Sequence, residues 1–137
     1  MTYYGELGKL LLRKADQDRY VMDRLIGDQS APDDVVGSHA QQAVEKMIKA
    51  ALAVREIEYP RTHQIEKLAT ILRSSGISYP PELSEATTLT SFAVEFRYDL
   101  LPIRDDAAPP FDRRWAKRCV DCVADWAASL VRGDEGP

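Results

Sequence analysis

Histidine and cysteine are scarce in this chain of 137 residues: there are two of each. Both histidines, His39 and His63, fall in the first half, and none follows His63. Both cysteines, Cys119 and Cys122, fall in one segment, whereas a secreted disulfide framework spreads an even set along the chain. Reduced thiols in a soluble cytoplasmic protein are therefore expected. A zinc site normally takes four ligands, and no second cysteine pair accompanies Cys119-x-x-Cys122. A redox pair of that spacing belongs at a helix start after a strand. This one lies inside a helical pattern, so both thiols read as structural. No apolar run approaches the roughly 20 residues that cross a bilayer, and no basic-then-apolar leader opens the chain. A glycine-rich phosphate loop, a Gly-x-Ser-x-Gly elbow and a carboxylate cluster with metal spacing are all missing, so no metal and no cofactor are expected. Net charge is -4. Broad, sequence-independent binding to phosphate backbones is disfavoured, and any basic patch must be local.

What is present is helical periodicity. Hydrophobic residues make up 45% of the chain, enough for one core in a chain of this size. A first helix is expected over Tyr4–Ile26, on the line Leu7, Leu11, Ala15, Asp18, Met22 and Leu25. Gly27 stands where a C-cap glycine is favoured, and Asp33 or Asp34 is placed to cap the next helix. That helix, Asp34 to about Ile57, carries the cleanest seam: Val36, Ala40, Ala43, Met47, Ala50 and Val54. Tyr59-Pro60 ends it. A third helix is expected from Thr62 as N-cap to Gly76, burying Ile65, Leu68, Ala69 and Leu72. A fourth covers Pro81–Asp99 on the line Ala86, Leu89, Ala93, Phe96, Arg97 and Leu100. The fifth begins at Asp112, with Trp115, Cys119, Val123, Trp126 and Leu130 on one face. Short connections favour an all-α, antiparallel up-and-down bundle of about five helices, one domain over 1–137 with a frayed tail from about residue 133.

Several polar residues depart from this packing pattern. His39, Gln42, Lys46 and Lys49 recur at steps of three, four and three, one polar stripe beside the seam. The stripe reads either as a site for an anion or a base edge, or as a solvated face with Glu45–Lys49 as an i,i+4 pair. Asp18 and Arg97 each sit on an apolar line, where a charge is costly unless paired. They are expected to form a structural polar pair or to share a cleft with His39. Thr62-His63 reads as a helix N-terminus, either capping or binding an anion. Arg113, Arg114, Lys117 and Arg118 give the last helix a basic start, read as a solvated face. Val44, Ile48 and Leu52 beside the seam offer a second apolar face for a homodimer.

His39-Ala40-Gln41-Gln42-Ala43-Val44-Glu45-Lys46-Met47-Ile48-Lys49-Ala50, then Tyr59-Pro60-Arg61-Thr62-His63-Gln64-Ile65, resembles the HEPN domain family. Ala15-Asp16-Gln17-Asp18 and Phe96-Arg97-Tyr98-Asp99 fit the same pattern in the same order. The resemblance implies a helical bundle that often dimerises and works on nucleotides or RNA. It also implies a frequent partner, a small nucleotidyltransferase, in a toxin–antitoxin or defence system. On that basis His39, Gln42, Lys46, Lys49, Arg97 and Tyr98 are the ligand-binding candidates. Many members are metal-independent ribonucleases with an arginine, then four to six residues, then a histidine. Here no histidine follows Arg97, so no catalytic residue is assigned. A divergent ribonuclease would have to use Arg97, His39 or His63. A third reading is a homodimeric interaction module without a ligand.

Overall fold

The computed structural model describes residues 2–92 and 111–135. The described residues form helices and their connections, with no strand among them. The helices are α1 (Tyr3–Leu25), α2 (Asp33–Val54), α3 (Ile65–Ser74), α4 (Pro81–Glu85) and α5 (Arg113–Glu135), and a 3₁₀ segment (Ala86–Phe92) continues α4. The all-α fold expected from periodicity is what the chain adopts.

α2 is the central element. It packs against α1, α3, the 3₁₀ segment and α5. Its seam residues Val36, Ala40, Ala43, Met47 and Ala50 are all buried. So are Val44, Ile48 and Leu52, each fully so. The second apolar face expected to remain for a partner is thus filled within one chain. Small residues let α1 approach closely: a methyl group at Gly8 would lie 2.5 Å from Val54 Cγ1 and 3.3 Å from the Ala50 carbonyl. Further along α1, Asp18 reaches Lys46 and His39. Contact positions therefore rise along α1 as they fall along α2.

The helix ends differ from expectation in instructive ways. α2 stops at Val54, three residues early. Arg55 caps it, and Glu56 takes a left-handed φ of 58°. The Glu56 and Ile57 amides then donate to the Ala53 and Leu52 carbonyls, closing a Schellman motif without glycine. α3 ends by the same motif on Gly76, at φ 76°. Gly27 follows α1 but is not left-handed, and Ile26 is the cap. Asp33 and Asp34 lie inside the first turn of α2, behind Pro32. α3 begins at Ile65 rather than after Thr62. Gln64 is its cap, and the buried Thr90 hydroxyl accepts from the Ile65 amide.

The fourth expected helix is α-helical only to Glu85. Its continuation is hydroxyl-rich. Thr87 donates to the Ser84 carbonyl, Thr88 to Glu85 and Ser91 to Thr88, each three residues back. Side chains that compete for backbone carbonyls, together with β-branching, favour the tighter i→i+3 winding. Ala93, Phe96, Arg97, Tyr98 and Leu100 lie outside the described residues. α5 starts one residue after Asp112, whose carboxylate accepts from the Trp115 amide. Its buried line is Ala116, Cys119, Val120, Val123 and Ala127, with Trp115, Trp126 and Leu130 at the margin. The helix continues to Glu135, past the expected start of the tail.

Candidate functional site

The polar stripe of α2 is organised around two carboxylates. Asp18, from α1, is 7% exposed. Its Oδ2 accepts from Lys46 Nζ at 2.6 Å, and its Oδ1 lies 3.0 Å from His39 Nδ1. A carboxylate only accepts, so Nδ1 carries the hydrogen, and Nε2 of His39 has no partner among the described residues. The sequence places Asp18 on an apolar line, and burial without a partner would cost several kcal/mol (on the order of 3–5). Lys46 and His39 remove that cost. Arg97, the other member of the expected polar pair, lies outside the described residues.

The second carboxylate, Glu45, belongs to α2 itself. Oε2 accepts from Lys49 Nζ at 2.8 Å. Oε1 accepts from Gln41 Nε2 at 3.0 Å and lies 2.9 Å from His63 Nδ1. Gln41 Nε2 also donates to the His63 carbonyl at 2.9 Å. Burial pushes the Glu45 carboxyl up, but the hydrogen bonds from Lys49, His63 and Gln41 outweigh it and hold its pKa below the ordinary value. His63 is therefore not a helix N-terminal residue. It lies in the connection between α2 and α3, folded back onto α2, with a half-exposed ring. Lys49 Nζ also sits 5.7 Å from the centre of the Tyr59 ring.

Of the expected stripe, His39 and Lys46 thus meet on Asp18, while Lys49 joins His63 on Glu45. Gln42 turns along its own helix and donates to Ser38 Oγ at 3.1 Å. Sequence reasoning missed Gln41 and Glu45 as an anchoring pair. Both are polar positions in a row otherwise made of Gly37, Val44 and Ile48, and that anomaly was the available signal. The two imidazoles share one design: Nδ1 faces a buried carboxylate, and Nε2 has no partner among the described residues. Two carboxylates and two ammonium groups leave the fixed charges of the cluster balanced.

The basic start of α5 is not a simple solvated face. Arg113 Nη1 faces the carbonyls of Leu25, Ile26 and Asp28 at 3.0–3.1 Å. Nη2 donates to the Ala31 carbonyl and Nε to Asp33 Oδ1. Its charge, unfavourable at its own helix N-terminus, rests against the C-terminal carbonyls of α1 instead. Lys117 bridges Asp23 and Asp121. Arg114 and Arg118 are exposed. Cys119 is buried, and burial followed by the Glu85 charge raises its thiol pKa to about 11. Such a thiol is unreactive at neutral pH. Among the described residues no group of three or more His, Cys, Asp or Glu side chains could hold a metal ion. No described helix is long and apolar enough to cross a membrane.

No curated protein and no solved structure matches the chain. The HEPN domain model matches residues 9–125, from the second turn of α1 through most of α5 and across both carboxylate-centred clusters. Its helical architecture is the one seen here, and the chain belongs to the HEPN domain family, a class of nucleotide- and RNA-related helical modules.

Proposed function

We propose that this chain is a non-catalytic HEPN module that holds a nucleotide or RNA segment on the polar face of α2. A nucleotidyltransferase-type protein is its partner in a toxin–antitoxin or defence-type system. The observation that carries the reading is the pair of imidazoles anchored through Nδ1 on Asp18 and Glu45, each with Nε2 unpartnered among the described residues. An imidazole so held presents Nε2 to a ribose hydroxyl or a base edge, and Lys46 and Lys49 stand beside it as donors. Fixed acceptors and donors on a rigid helix recognise a ligand without moving. The balanced charge of the cluster fits recognition of sugar and base edges better than capture of phosphate alone. A homodimer remains part of this proposal through the family, with its contact elsewhere than Val44, Ile48 and Leu52.

Titration of the purified chain with labelled RNA and with nucleotides tests the reading, with His39→Ala as comparator. Affinity should fall in the variant while the fold persists. Unchanged affinity and unchanged thermal stability together would remove the site. Co-expression with the nucleotidyltransferase encoded beside it, if one is, should yield a stable complex.

One observation favours a second reading, a divergent metal-independent ribonuclease. Asp18, His39 and Lys46 form a carboxylate–imidazole pair with a neighbouring cation, an arrangement that suits proton abstraction from a 2′-hydroxyl. Incubation with mixed RNA in the absence of metal, compared with His39→Ala and Arg97→Ala, separates the two. Cleavage lost in these variants would establish the enzyme.

A further inference from the structure

Among the described residues the exposed large hydrophobic side chains all sit on α1: Tyr3, Tyr4, Leu10 and Tyr20. Two of them, Tyr3 and Tyr4, open α1. Gly8 lies against Val54, so the first turn of α1 stands beside the C-terminal end of α2. There Tyr3 and Tyr4 pack edge to face, with ring centres 5.3 Å apart, yet Tyr3 remains 71% exposed and Tyr4 38%. Tyr59, in the loop after α2, carries Lys49 over its ring. Burial raises the Tyr59 phenol pKa, and Tyr3 is close enough to add to that rise. Tyr59 therefore links Lys49 to the neighbourhood of Tyr3.

Electrostatics at this end are weak. Lys49 is neutralised by Glu45, as Lys46 is by Asp18. The loop adds Arg55, Glu56, Glu58 and Arg61, two charges of each sign. The whole chain carries a formal charge of -4. Phosphate contacts alone would give little affinity, because that contribution scales with the cations free to displace counterions. Exposed tyrosine rings supply another source, since unstacked bases pack on aromatic faces whatever their sequence.

We infer that Tyr3 and Tyr4 form a base-stacking platform beyond the Lys49 end of the α2 polar face, and that the occupant is single-stranded RNA rather than a duplex or a free nucleotide. The inference rests on the proposed function and names its ligand class. From His39 to Lys49 the helix rises roughly 15 Å. At about 3.4 Å per stacked nucleotide, that length takes about four nucleotides before the rings are reached. A duplex keeps its bases inside and offers the tyrosines only backbone. A mononucleotide engages the imidazoles or the rings, and not both.

The test compares a fluorescent ten-nucleotide oligoadenylate with an abasic strand of the same length, by anisotropy. The wild-type chain should bind the base-bearing strand about tenfold tighter or more. The double variant Tyr3→Leu/Tyr4→Leu, both at exposed positions, should erase that difference. Tyr3→Trp should preserve it, and quenching of the new indole by oligoadenylate should report the stack directly. Equal affinity for the two strands in the wild-type chain, or a preference unchanged by the double variant, overturns the platform and leaves the binding function standing. If oligoadenylate, the abasic strand and mononucleotides all fail to bind, the function itself falls and the platform with it.

Discussion

Lys46 Nζ lies 2.6 Å from Asp18 Oδ2, which joins α2 to the middle of α1 through an ion pair at the edge of the core. The contact does two things at once. It satisfies a carboxylate that α1 buries on its apolar line, and it frees the other Asp18 oxygen to orient His39. Structure and candidate chemistry therefore share one residue.

Substitution at this pair should be unequal. Asp18→Asn removes the charge and one of the two acceptor oxygens that serve Lys46 and His39, and should cost about 1–3 kcal/mol in urea unfolding. Lys46 is 29% exposed and can turn to water, which keeps that loss at the low end. Lys46→Met should cost less, because His39 still donates to Asp18. The double variant should depart from additivity by about 0.5 kcal/mol or more. Additive effects would show that the two groups do not interact in solution.

The α2 seam was legible because Ala40, Ala43 and Met47 repeat at helical spacing and nothing interrupts them. The end of α2 was not. Its stop rests on Glu56 in a left-handed conformation, a position where glycine is the usual marker. The hydroxyl run Thr87-Thr88 looked like weak helix, and only the carbonyls three residues back show why it winds tighter. The site was half legible. The stripe of His39, Lys46 and Lys49 follows from spacing along one helix, and a charge on an apolar line singled out Asp18. Of its partners, His39 entered only as one alternative beside Arg97, and Lys46 was not read, because Lys46 and His39 are 28 and 21 residues away. The same holds for His63 on Glu45 and for Arg113, whose partners are mainly backbone carbonyls 82–88 residues earlier. Side-chain recognition of a carbonyl leaves no mark on the partner's identity.

Arg113 should be among the most sensitive positions outside the core. Its guanidinium is 19% exposed and closes the C-terminus of α1, the following turn and the first turn of α2. Arg113→Ala should destabilise by about 2–3 kcal/mol. Arg113→Lys should recover little, since an ammonium has three donors and no planar fork to serve five acceptors in different directions. A lysine variant as stable as wild type would show that charge alone matters there.

Glu56 offers a gain. A non-glycine residue in the left-handed region costs roughly 1 kcal/mol, and the Glu56 side chain is exposed. Glu56→Gly relieves that strain while loosening the unfolded chain. The net should be a rise in stability of about 0.5–1 kcal/mol, seen as a higher urea midpoint with an unchanged slope. A loss of stability would mean that the carboxylate makes a contact worth more than the strain.

Glu45 sets the acid limb. Its folded pKa lies below the ordinary value of 4.5, because donors from Lys49, His63 and Gln41 together overcome the effect of burial. The unfolded chain therefore takes up its proton first as pH falls. The stability this group contributes is complete above about pH 4.5, where both states are ionised, and is lost as pH drops through the folded value. Glu45→Gln keeps the shape and one acceptor oxygen but removes the charge and turns the other oxygen into an NH2 donor. It should lower stability at neutral pH and flatten the decline below pH 4.5, so that the two proteins converge in acid. The measurement is a series of urea unfolding curves from pH 7 to pH 3, and parallel pH profiles would show that the Glu45 charge is not what these three donors hold in place.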